Sequence, residues 1–77
     1  MINEARQILI EGKIQDLVKR FNKKTASKDD WKRLAKNIAG VMGIILTSSK
    51  LGILVQYLQK TNLSQNLNLA KEITNLF

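Results

Sequence analysis

Ten charged side chains, all within the first 36 residues, are the groups best placed to do chemistry. Lys19, Arg20, Lys23, Lys24, Lys32, Arg33 and Lys36 form the basic set, and Asp16, Asp29 and Asp30 the acidic one. Cations at this density suit an anionic partner, whether nucleic acid, lipid head groups or an acidic protein face. The competing explanation is a solvated face that only keeps a small domain soluble. Asp16 stands three and four residues before Lys19 and Arg20, a spacing at which opposite charges meet on an exposed helix. Residues 1–36 hold ten Lys/Arg and five Asp/Glu, and residues 37–77 three and one, so the first part supplies most of the net +7.

Catalysis finds little to work with. The 77 residues include no cysteine and no histidine, which removes disulfides, thiolate nucleophiles, the usual zinc sites and imidazole acid–base chemistry. Asp29 and Asp30 are adjacent at a helix start and point in different directions, so they make no general acid–base pair, and Glu11 and Asp16 add none. Ser48-Ser49-Lys50 places hydroxyls beside an amine, but a serine–lysine nucleophile needs a strained, dry pocket, and helix capping explains these hydroxyls more simply. The expectation is a non-enzyme without cofactor or metal.

What must position the charged groups is a set of helices. Proline is absent and glycine occurs only at positions 12, 40, 43 and 52, a composition that favours helix. The clearest element starts at Ser27, whose hydroxyl is placed to accept the Asp30 backbone N–H, with Asp29 and Asp30 against the positive end of the helix dipole. Trp31, Leu34, Ala35 and Ile38 then recur at i, i+3, i+4, i+7 and make an apolar stripe, leaving Lys32, Arg33 and Lys36 outside it. The phase of Trp31 points inward, toward Phe21, Leu54 and Leu58.

Upstream, residues 2–23 read as a first helix on Ile10, Ile14, Leu17 and Phe21, with Ile2, Ala5 and Leu9 extending the stripe. Downstream, Gly40 and Gly43 leave two outcomes for residues 40–46: continuation of the second helix to Leu46, or a break near Gly40 and a short separate helix. Thr47-Ser48-Ser49 offers caps for a helix over about 50–60, with Leu51, Leu54, Val55 and Leu58 on one stripe and Ile53 with Tyr57 on another. Ser64 reads as the cap of a last helix whose apolar lines are Leu63, Leu67, Ala70 and Leu69, Ile73, Leu76, Phe77. The chain is too short for a second core, so residues 1–77 form a single all-α interaction domain, a compact antiparallel bundle of four to six short helices.

Asp30-Trp-Lys-Arg-Leu-Ala35, Leu54-Val-Gln-Tyr-Leu58 and the Leu63–Leu67 segment together resemble the small death-like and effector-associated domains of prokaryotic conflict systems. The Asp30–Ala35 portion is also similar to the second helix of animal death domains. The resemblance covers roughly residues 27–70. It departs where Gly40–Leu46 replaces the usual polar turn, which leaves the helix count and the third helix open. It implies a six-helix, death-fold-like bundle that binds like domains and brings an effector to a sensor in bacterial immunity or signalling.

Three partner classes follow. Protein comes first, as homotypic recruitment or assembly through a basic face centred on Lys32, Arg33 and Lys36 that meets Asp16, Asp29 or Asp30 of a like domain. A small basic nucleic-acid-binding protein is the alternative, although base reading wants Arg, Asn or Gln on one element, and Arg6, Arg20 and Arg33 are spread over two helices. A membrane surface ranks third, because charged and apolar residues are segregated end to end along residues 32–46 rather than on opposite faces. The longest apolar run is far short of the roughly 20 residues a spanning helix needs, and the start of the chain lacks a signal-peptide pattern, so the expected location is cytoplasmic.

Overall fold

The computed structural model describes residues 4–63 and 65–77. They hold four α-helices: α1 Glu4–Arg20, α2 Lys28–Met42, α3 Ser48–Lys60 and α4 Leu69–Leu76. The all-α expectation stands, and four helices fill the described residues where the resemblance implies six. Helix α1 packs against both α2 and α4, and α2 against α1 and α3.

Each helix end has a local cause. Ser27 caps α2 by accepting the Asp30 N–H at 3.2 Å, and the Asp30 carboxylate returns the favour to the Ser27 N–H at 3.0 Å. The helix passes through Gly40 and stops at Gly43, which adopts φ 74° and ψ 25°. That left-handed conformation costs glycine nothing, and it lets the Ile44 N–H reach the Ala39 carbonyl at 2.9 Å. Neither sequence-based outcome for residues 40–46 is met in full. The helix overruns Gly40 but ends before Leu46, and residues 44–47 are an irregular connector rather than a short helix. Thr47 then accepts the Lys50 N–H at 3.2 Å and starts α3.

The core is one cluster built from all four helices, with Ile14, Ile38, Leu54, Leu58, Leu69 and Ile73 fully buried. All four residues of the α2 stripe are buried, and Trp31 is 7% exposed. Its ring meets Phe21 edge-on, 4.7 Å between centroids at 66°, a favourable arrangement of the two ring quadrupoles. Leu54 and Leu58, the other expected neighbours, belong to the same cluster.

Several apolar positions need correcting. Ala5 and Leu9 are exposed rather than core, because at 100° per residue they fall on the side of α1 away from Ile14. Val18 takes the core position, with Leu17 and Phe21 half-buried beside it. Ile53, Leu67 and Phe77 are also exposed. Ile2 and Ser64 lie outside the described residues, and α4 opens at Leu69, well past the expected cap.

Candidate protein-interaction surface

Helix α2 carries Lys32, Arg33 and Lys36, all exposed. Consecutive residues on a helix point about 100° apart, and the consequence here is a division of the basic set. Arg33 lines a cleft of about 400 Å³ between α1 and α2, with Arg20 on the α1 wall and Phe21 and Leu34 beneath. Lys32 lines a different groove, between α2 and α3, together with Lys28. Lys36 lies farther along that second side, near Gly40 and Leu46. Lys23 borders a small depression beside Asn62 and Leu63. Lys19 and Lys24 are exposed at the α1 end and in the connector after it. The structure thus brings Arg20 to Arg33 and aligns Lys32 with Lys36, but it does not gather all seven cations on one face.

The acidic residues are interleaved with these cations. Asp16 is exposed on α1, one turn before Lys19 and Arg20, and Asp29 is exposed one turn before Lys32 and Arg33. Asp30 is half-buried, lines the Arg20–Arg33 cleft and has one carboxylate oxygen committed to Ser27.

Two carboxylates that the sequence did not single out for any role do long-range work. Glu11 of α1 accepts the N–H groups of Leu69 at 3.0 Å and Ala70 at 2.6 Å, so it caps α4 from across the molecule. Asn68, at the N-cap position itself, makes no side-chain cap bond. Gln15 fixes the Glu11 carboxylate at 2.9 Å and donates as well to the Asn66 carbonyl at 2.8 Å. The i, i+4 spacing of Glu11 and Gln15 was readable, but their distant partners, the start of α4 and the Asn66 carbonyl, were not. The second carboxylate is Glu72, which accepts hydrogen bonds from the Tyr57 hydroxyl and the Asn66 amide and so ties α3 to α4. Those two bonds hold Glu72 below the ordinary carboxylate value. Burial, then the hydrogen bond to Glu72, pushes the Tyr57 hydroxyl up to about 12.

Sequence reading also missed an apolar patch. Ile8 is 67% exposed and Leu67 70% exposed, and both line one cleft between α1 and the start of α4. Leu9, 60% exposed, follows Ile8 on α1. The readable signal was the run Ile8-Leu9-Ile10, which offers more apolar surface than one helix face can bury.

Among the described residues there is no group of acidic side chains arranged to hold a metal ion, and no helix is long and apolar enough to cross a membrane. No family model, curated protein or solved structure matches the chain.

Proposed function

We propose that this chain is a non-catalytic protein–protein interaction domain that assembles with like domains. The observation that carries the reading is the exposed apolar pair Ile8 and Leu67, which meet in the cleft between α1 and the start of α4. Single exposed apolar residues are ordinary, but Ile8 and Leu67 share one cleft, and clustered apolar surface on a small domain marks a contact site. The exposed charges of both signs on α1 and α2 supply the orientation that an apolar contact lacks. The death-like resemblance gives this assembly a setting, recruitment of an effector to a sensor in bacterial immunity or signalling, with a death-fold-like packing of the helices.

The test is light scattering against protein concentration. Wild type should gain mass with concentration, and Ile8→Glu with Leu67→Glu should stay monomeric while circular dichroism remains helical, since both sites are exposed. Replacing Arg20 and Arg33, which share the α1–α2 cleft, by glutamate should also abolish association with the helices intact. A wild type that stays monomeric at every concentration and salt sinks the homotypic reading. Binding of random DNA or RNA at about micromolar protein, falling steeply with salt, would place the nucleic-acid alternative ahead.

A further inference from the structure

The groove between α2 and α3 is the most developed concavity that the homotypic reading leaves unused. Two hollows of about 450 Å³ each meet at Ser48 and Leu51, forming one trough along the two helices. Its floor is apolar and only half covered: Leu51, Val55, Ile44 and Leu46 are all partly exposed. Lys28, Lys32 and Lys36 line its α2 side at steps of four residues, which sets three ammonium groups along one rim. Across the trough, α3 has no acidic residue in its first turn. The only acidic residue after position 36 is Glu72, already bonded to Tyr57 and Asn66.

Glycine shapes the walls. Gly52 on α3 and Gly40 on α2 both line the trough, and a Cβ added at either would meet no atom within 4 Å. The missing side chains therefore leave open space that a partner backbone can enter closely. From Lys28 to Gly40 the rim runs for about 18 Å at 1.5 Å per residue, the length of a helix of roughly 12 residues. An apolar floor, a close-approach wall and a row of cations at helical spacing together describe a receptor for an amphipathic helix.

Resting on the interaction-domain reading, we infer that the α2–α3 trough binds an acidic amphipathic helix from a partner other than this chain. Its apolar stripe lies on Leu51 and Val55, and carboxylates spaced four residues apart face Lys28, Lys32 and Lys36. A second copy does not fit. Its acidic residues follow no four-residue ladder, and Glu11 is held by α4. Two contact surfaces of different chemistry result, one for like domains and one for the helix of the protein being recruited.

The experiment is a fluorescence-anisotropy titration of the full chain, kept dilute enough to be monomeric. Its probe is a synthetic helical peptide of about 14 residues with a leucine stripe and three glutamates at four-residue steps. A counterpart with lysine in place of glutamate and a short single-stranded RNA serve as competitors. The acidic helix should bind, and the lysine version should bind at least about tenfold more weakly. Lys28→Glu with Lys32→Glu and Lys36→Glu should weaken the acidic helix by a similar factor and strengthen the lysine version. Gly52→Phe should fill the trough and abolish binding without lowering the melting temperature, because its site is open and glycine is a poor helix former. Equal binding of both peptides, no binding of the acidic one, or RNA binding that Gly52→Phe leaves untouched would each overturn the assignment. Self-association read separately keeps the two proposals apart. Binding of the acidic helix by a chain that never self-associates supports the trough and removes only the homotypic contact, whereas self-association without helix binding removes only the trough.

Discussion

The starts of α2 and α4 solve the same problem by opposite means. Both present backbone N–H groups without helical partners. At α2 the answer lies within four residues, where Ser27 and Asp30 satisfy each other. At α4 the answer comes from Glu11, 58 and 59 residues away, while Asn68 stands by without a side-chain cap bond. The first helix start can form as soon as its own turn does. The second exists only in the folded molecule, so α4 borrows its beginning from α1, and its stability depends on their packing.

The most severe way to break this contrast is to remove what α1 and α2 share. Trp31→Ala deletes the ring that packs on Phe21 and should cost about 3–5 kcal/mol, comparable to the whole stability of so small a domain. Thermal melting by circular dichroism should show a largely unfolded chain. A wild-type melting curve would instead assign the tryptophan to a binding surface.

Next in size is the distant cap. Glu11→Ala leaves the Leu69 and Ala70 N–H groups without an acceptor inside the fold and should cost about 1–3 kcal/mol. Nuclear magnetic resonance should show the loss concentrated in α4, with α2 amides little changed. A loss spread evenly over all four helices would mean that α4 is no separable unit.

The local cap should matter less. Ser27→Ala is expected to cost about 1 kcal/mol, measured by urea unfolding, and to fray only the first turn of α2. A synthetic peptide of residues 27–43 should show more helix than one of residues 66–77, since only the first carries its own cap.

The smallest effect concerns the strap from α3 to α4, and it has a pH signature. Tyr57 is raised from 10.0 to about 12 in the fold, so its contribution is complete below pH 10 and disappears as pH climbs toward 12. Glu72 is lowered, so its contribution is present above the ordinary carboxylate range and disappears as acid protonates it. Melting temperature should therefore fall at both ends of a pH series. Tyr57→Phe removes both the partly buried hydroxyl and its bond to Glu72, so it should flatten the alkaline arm and part of the acid arm, and an unchanged acid arm would rule out the strap.

Legibility followed the range of the interaction. The cap, stripe and charged positions of α2 were readable from Ser27 to Ile38 because the cap partners and the spacing of the stripe lie within one or two turns. Its end was readable only as a choice between outcomes. Which glycine turns left-handed depends on where Ile44 lands, and Ile44 packs against the core. The α4 start was misplaced because Ser64 offers a hydroxyl in sequence, whereas Glu11 supplies the acceptor in space. Leu9 was misassigned because the run Ile8-Leu9-Ile10 lets a stripe be drawn in more than one phase. Of the candidate site, the identity of the cations was legible, but their division between two grooves needed the orientation of α2 against its neighbours.

The bond from Glu11 to the start of α4 also sets an order of events. Closing a loop of nearly sixty residues carries an entropic penalty that grows with its length, and contacts so far apart in sequence slow folding. The hairpins α1–α2 and α2–α3 involve short separations and can form while the C-terminal residues are still free. Helix α4 is therefore expected to dock last, and, with its first N–H groups held by Glu11 rather than by its own cap, it is predicted to open first. In native-state hydrogen exchange its amides should report a sub-global opening well below the free energy of complete unfolding. Such an opening would turn the Glu11 carboxylate and the apolar side of α1 beneath α4 to water, a surface that the closed form conceals.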